Sequence, residues 1–262
     1  MRIQDGPKLN LLCDDCEQLF SNWENQFSQN VFLPLHDRQN PKDIYQYGDW
    51  ALKFAVSVSW RALLYQLSHG KPANLTEYQS NQADSALEIW RDFLLDKRPH
   101  PDQFEQHILP MDIIKSHSIK GMSPYINRYL IRTVDMDLPS SSKRAFVYTK
   151  LCRLMIFGII HEPHPKHWRN TKLHVRKGSI GGTNYVVPGG LEEYINYRSD
   201  KAMETLASIS ANQSEKVRKS INENLDALAN SEVFTAIDQD YHLFGRAAFN
   251  YSEGRSENGE EV

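Results

Sequence analysis

Residues 50–70, WALKFAVSVSWRALLYQLSHG, follow Gly48-Asp49 and carry apolar side chains all round a helical barrel instead of along one stripe. A helix of that kind is stable only when it is covered on every side. The chain is therefore expected to wrap its core around this segment, with Phe54, Val58 and Leu64 inside and Gly70 at the left-handed C′ position that closes it. A first helix is read over about Asp14 to Phe32, because Leu19, Phe20, Trp23, Phe27 and Val31 recur at three- and four-residue spacings. A third runs from about Thr76 to Asp96, with Ala83, Leu87, Trp90 and Leu94 on one face, and Pro99 and Pro101 stop it. Glu24 and Arg61, charged residues on otherwise apolar helices, are candidates for a buried ion pair.

The middle third changes character. Tyr125–Val134 and Ala145–Ile160 are rich in Val, Ile, Tyr and Phe, punctuated by Pro, Gly and Ser, and read as strands. Trp168–Lys177 alternates, with Leu173 and Val175 on one side and Lys172, His174 and Arg176 on the other, as in a half-buried strand that presents a basic row to solvent. The turn-rich KGSIGGTNYVVPGG that follows holds a short expected strand, Asn184–Val187. Three more helices are expected near 191–209, 213–229 and 231–248. Their apolar faces are Leu191/Tyr194/Ile195/Ala202/Ile209, Val217/Ile221/Leu228 and Phe234/Ile237/Tyr241/Phe244.

The fold class that follows is α+β: mainly helical, with a small antiparallel sheet in the middle third and helical N- and C-terminal parts. At 262 residues and 40% hydrophobic the chain has material for one large core. We expect a single compact domain over 1–251, made of a helical part (1–98), a basic sheet part (104–190) and C-terminal helices (191–249). The acidic stretch 252–262 is expected to be disordered. Leu154–Ile160 is far too short to span a bilayer, and MRIQDGPKLN lacks the apolar stretch of a signal peptide. With three cysteines and no disulfide framework, the expected location is the cytoplasm, with no membrane partner.

The formal net charge of −3 conceals a division along the chain. Residues 113–177 carry 13 Lys/Arg against 3 Asp/Glu, whereas 1–112 carry 10 against 16 and 178–262 carry 7 against 14. Two readings stay open. The acidic flanks neutralise the basic middle, or the basic middle meets a polyanion such as DNA or RNA, whose phosphates supply most non-specific affinity. On the second reading the contact residues are Lys150, Lys166, Trp168, Arg169, Lys172, His174, Arg176 and Lys177, with Trp168 available to stack on a base.

Leu12-Cys13-Asp14-Asp15-Cys16-Glu17 is a CxxC at the start of the first helix. Two thiolates at that spacing can grip one tetrahedral zinc, but a structural site takes four ligands, so Cys13 and Cys16 are at most half of one. No second CxxC or HxxxH pair exists, and a histidine such as His36 would have to be brought in by folding. A structural knuckle without metal and a redox dithiol are the other readings. No cofactor is expected, zinc entering only if further ligands complete the pair. His161, His164 and His167 are spaced by three, yet Pro163 and Pro165 rule out the helical face that would align them, so a solvated loop competes with a metal-dependent hydrolase. The glycines of Gly178-Ser179-Ile180-Gly181-Gly182 match neither phosphate-binding pattern and read as a turn.

LLCDDCEQLFSNWENQF, YGDWALKFAVSVSWRAL, WRNTKLHVRKGSIGGTNYVVP and DQDYHLFGRAAF together resemble a family of uncharacterised bacterial proteins, over most of this chain. In the longer members of that family an upstream CxxC and a His-x-Ile-Pro-like element precede the LC..CE knuckle and give it an HNH-like or treble-clef zinc character. That half is missing here, as in a natural short form or a chain whose start is set too late, and no histidine precedes Cys13 to serve as a nuclease base. The resemblance implies a nucleic-acid-associated protein of a defence or mobile-element system. The alternative is a protein-interaction or regulatory subunit, with a protein partner or a second copy of the chain, and a metal-dependent hydrolase stands third.

Overall fold

The computed structural model describes residues 11–37, 39–69 and 74–250. The expected cap at Gly70 and the acidic stretch 252–262 lie outside them. The protein is mixed α+β and mainly helical, with small antiparallel sheets, as the residue pattern requires. The chain divides into two compact units. The first takes residues 1–110, 135–150 and 154–187, and the second takes 111–134, 151–153 and 188–262. The segment 104–190 thus contributes to both.

In the first unit the apolar helix is α3 (Trp50–His69). It packs on α1 (Asp14–Phe27), on α4 (Glu77–Leu94) and on two strands, β2 (Gln106–Pro110) and β5 (Leu154–His161). Covered in this way, it buries Leu52, Phe54, Val56 and Leu63. Val58 and Leu64, expected inside, are only half-buried, because the most enclosed face of the helix is the one bearing Val56, Ser59 and Leu63. Its polar atoms find partners: Ser59 Oγ donates to Gln106 Oε1 at 2.7 Å and Trp60 Nε1 to the Leu87 carbonyl at 3.2 Å. Arg61 meets Glu24 at 2.7 Å, so that pair forms, at a half-exposed position and not in the core.

The sheet order is β2-β5-β4-β3, where β4 is Ala145–Leu151 and β3 is Val134–Asp137. Every residue from Leu154 to Ile160 is buried, which is why β5 reads as a continuous apolar run instead of an alternating one. At Gly158 a Cβ would lie 2.7 Å from Ser59 Oγ and 2.9 Å from the Trp90 ring. Glycine there lets both helices approach the sheet. A second, two-stranded sheet joins β1 (Ile44–Tyr47) to β6 (Gly178–Gly181). The first helix continues past Phe27 through a π turn (Ser28–Phe32) and a short α2 (Leu33–His36).

Three expected strands are corrected. Tyr125–Val134 is mostly helix, α5 (Ile126–Arg132), in the second unit. Its first-turn amides are held by the buried Asp240 carboxylate, which accepts from Asn127 N at 2.8 Å and Arg128 N at 3.2 Å. Burial of every residue from Ile126 to Ile131 overrides their strand preference. Trp168–Lys177 is not a strand: it bends at Trp168, Asn170, Val175 and Arg176, Asn170 at a positive φ of 62°, and only 171–173 pairs with the edge of β2. Asn184–Val187 is reduced to one bridge between Val186 and Arg169.

The C-terminal helices are α6 (Leu191–Ala207), α7 (Ala211–Glu223), α8 (Leu225–Ala229) and α9 (Glu232–Phe244). In α9 the buried face centres on Ala236 and Asp240, and Phe234 and Tyr241 of the expected apolar face are exposed. Val217 and Ile221 of α7 are exposed as well. Among the described residues no helix is long and apolar enough to cross a membrane.

The enclosed face of α3 sets a stability test. Leu63→Ala should cost about 2–5 kcal/mol through lost transfer energy and a residual cavity. Leu64→Ala, at a half-buried site, should cost clearly less. Urea unfolding of both variants checks this, and equal losses would mean the enclosed face is misassigned.

Candidate functional site

Chemistry-bearing residues gather in the first unit where residues 162–173 lie against β2 and β5. Trp168 anchors them. It is only 5% exposed, its ring lies 4.8 Å from that of His107 and 5.0 Å from that of Phe157, and its Nε1 donates to Glu162 Oε2 at 3.2 Å. Three residues on, Ile108 N donates to the Thr171 carbonyl at 2.8 Å and Leu173 N to the Gln106 carbonyl at 2.9 Å. These bonds pin the segment to the sheet edge. Thr171 and Leu173 therefore face inward, while His174 and Arg176 are exposed. The two-residue alternation survives without a regular strand.

Behind this segment runs a chain of polar groups. The Thr171 hydroxyl and His107 Nδ1 are 2.8 Å apart, His107 Nε2 lies 3.5 Å from Glu105 Oε2, and Lys172 Nζ bonds Glu105 Oε1. Burial favours the neutral imidazole and lowers the pKa of His107, against the pull of Glu105. Burial alone would raise Glu105, but hydrogen bonds from His107 and Lys172 outweigh it and bring the carboxyl to about 2. Glu162 is a second enclosed carboxylate, accepting from Arg144 Nε at 2.8 Å and from His164 N at 2.9 Å. Both carboxylates border a cavity of about 310 Å³, whose other walls include Tyr78, Gln82, Gln103, Ile159, Ile160 and His161.

The eight residues singled out for a polyanion fare differently. Lys150 is fully buried in β4, and Trp168, packed against the rings of His107 and Phe157, borders the cavity but has no free face for base stacking on the surface. Lys172 is tied to Glu105. Lys166, Arg169, His174, Arg176 and Lys177 are exposed, and none has a salt-bridge partner among the described residues. The charge division is thus partly resolved inside the molecule. Arg128 pairs with Asp240, Arg144 with Glu162, and Arg153 with both Asp112 and Glu232.

His161, His164 and His167 do not converge. His161 borders the cavity edge-on to Tyr78, whereas the exposed rings of His164 and His167 are 5.3 Å apart and His167 meets Arg144 at 3.0 Å. Cys13 is the N-cap residue of α1 and Cys16 lies in its first turn. The nearby Cys16 amide and thiol lower the pKa of Cys13, and the same thiol proximity raises that of Cys16, although the Cys13 sulfur makes no cap hydrogen bond to the helix. His36 is turned to the Phe32 carbonyl, with Nδ1 2.7 Å from it. Among the described residues no group of three or more His, Cys, Asp or Glu is arranged to hold a metal ion.

Sequence reading missed Glu105, His107, Thr171 and Glu162. The only local sign was a carboxylate and an imidazole two residues apart at the start of a short run ending in Pro110. Their partners come from more than sixty residues away along the chain. Compared with known proteins, the chain matches no family model, no curated protein and no solved structure.

The network has a signed pH dependence. His107, depressed on folding, contributes stability that is complete above its ordinary value of 6.5 and declines as pH falls below it. Glu105, depressed from 4.5 to about 2, adds a second loss across that interval, up to about 3 kcal/mol by linkage. Glu105→Gln should remove the lower stage and deepen the upper one, because the carboxylate that pulls the His107 imidazole toward its charged form is gone, as measured by thermal unfolding from pH 7 to pH 2.

Proposed function

We propose that the first unit binds a nucleic-acid backbone through residues 163–187. One observation carries this reading. The segment holds Lys166, Arg169, Lys172, Arg176 and Lys177 with no Asp or Glu, and four of these five cations are exposed without an ion-pair partner among the described residues. Lys172 within the segment and Arg144 elsewhere in the same unit each have a carboxylate. Exposed, unneutralised cations in series along a pinned segment suit a repeating polyanion, because each phosphate contact releases condensed counterions. The anchoring of Trp168, Thr171 and Leu173 supports it further, since an anchored segment spends less ordering entropy on binding.

Arg176→Glu with Lys177→Glu is the informative double substitution, because both side chains are exposed, and Lys172 is left alone so that Glu105 keeps its counter-charge. Fluorescence anisotropy with labelled DNA and RNA across a salt series should show affinity falling linearly in log–log form. The double variant should shallow that slope by about 1–2 for the two phosphates no longer met, with an unchanged unfolding midpoint. Absence of any salt-sensitive binding by the wild-type chain overturns the reading.

A further inference from the structure

We infer that the cavity bordered by Glu105 and Glu162 receives a single unpaired nucleobase carrying an exocyclic amine, so that the nucleic acid bound is single-stranded; this rests on the backbone-binding reading above. The cavity lies under the same segment, since Glu162, Pro165 and Trp168 form part of its wall. Its volume of about 310 Å³ is at the small end of the ~300–1,000 Å³ usual for small-molecule sites. That leaves room for one heterocycle and not for a helix.

The wall chemistry decides which part of a nucleotide enters. Two carboxylates border the cavity, and Glu105 is ionised at any physiological pH. A phosphate brought between them meets like charge, whereas an amino group donates to them. The phosphate is therefore left to the exposed cations outside and the base is directed inward. Both carboxylates are held in place from behind, Glu105 by Lys172 and His107 and Glu162 by Arg144 and the Trp168 indole. Gln103 Nε2 donates to Gln82 Oε1 at 3.0 Å, which orients the two amides and leaves further N–H donors and carbonyl lone pairs on both for a ligand. An amide donor–acceptor pair matches the edge of adenine, and a carboxylate matches the amine of cytosine. Thymine and uracil offer a carbonyl where the cavity offers oxygen, and so are disfavoured. Tyr78 at the rim is 57% exposed and offers a ring for stacking.

The test uses the full chain with labelled twelve-nucleotide strands of dA, dC, dT and an abasic analogue. Affinity for dA or dC should exceed that for dT and for the abasic strand by on the order of tenfold, as one good polar base contact gives. Gln82→Trp, which fills the cavity from α4, should abolish that preference while leaving the salt slope of the remaining binding unchanged. Tyr78→Ala, at an exposed site, should weaken dA and dC alike and serves if the tryptophan variant fails to fold. Equal affinity for all four strands, or a preference that survives Gln82→Trp in a folded variant, overturns the inference and leaves the backbone reading standing. If no strand binds with salt dependence, the backbone reading falls and the inference with it.

Discussion

A helix that is apolar on every side must be surrounded, and in the first unit that requirement sets the positions of everything else. α1 and α4 cover α3 along two faces, and the remaining face is closed by β2 and β5. Since β5 is covered in turn, its residues are apolar throughout, and Gly158 is the point where backbone, Ser59 and Trp90 come together. β2 is thereby held between α3 and the 171–173 segment. Gln106 is turned toward α3, where it accepts from Ser59, and its neighbours on either side, Glu105 and His107, border the cavity.

Charge follows from burial in the same way. A half-exposed ion pair contributes about 0–1 kcal/mol, whereas removing one partner of an enclosed pair costs about 3–5 kcal/mol. By that measure Arg128 and Arg153, enclosed against Asp240 and Glu232, are structural cations of the second unit. Lys172 and Arg144 are intermediate in the first unit: they hold carboxylates in place and remain close to solvent. Lys166, Arg169, Arg176 and Lys177 have no carboxylate among the described residues, and with Lys115, Lys120 and Lys143, likewise exposed and without an ion pair there, they are available to an outside anion without breaking an internal contact. An excess of ten positive charges over 113–177 thus reduces to a short exposed set once internal pairing is subtracted.

Several features were legible because they depend on local periodicity. The centrality of α3, the α4 face built on Ala83 and Trp90 and the inward turn of Leu173 follow from spacings of two or three to four residues, and the strand character of 145–160 from its β-branched and aromatic content. The Glu24–Arg61 contact was legible because a charge on an apolar helix needs a partner. The α5 segment was misread because its strand-forming side chains are outweighed by capping from Asp240, more than a hundred residues away. Trp168 was misread as a stacking platform since an aromatic beside lysines looks the same in sequence whether it faces solvent or, as here, Phe157.

The sequence by itself determined the central apolar helix, the long helices before and after it, the apolar run 145–160 and the location of the basic excess, since each is encoded by residues near one another along the chain. Only the tertiary structure decided which cations are exposed and which are neutralised, and only it assembled Glu105, His107 and Glu162 around one cavity, with Thr171 bonded to His107 behind them. Those decisions depend on desolvation and on hydrogen-bond geometry between segments separated by dozens of residues. No local pattern carries that information, because the energy of an ion pair or a buried imidazole is set by what folding places beside it.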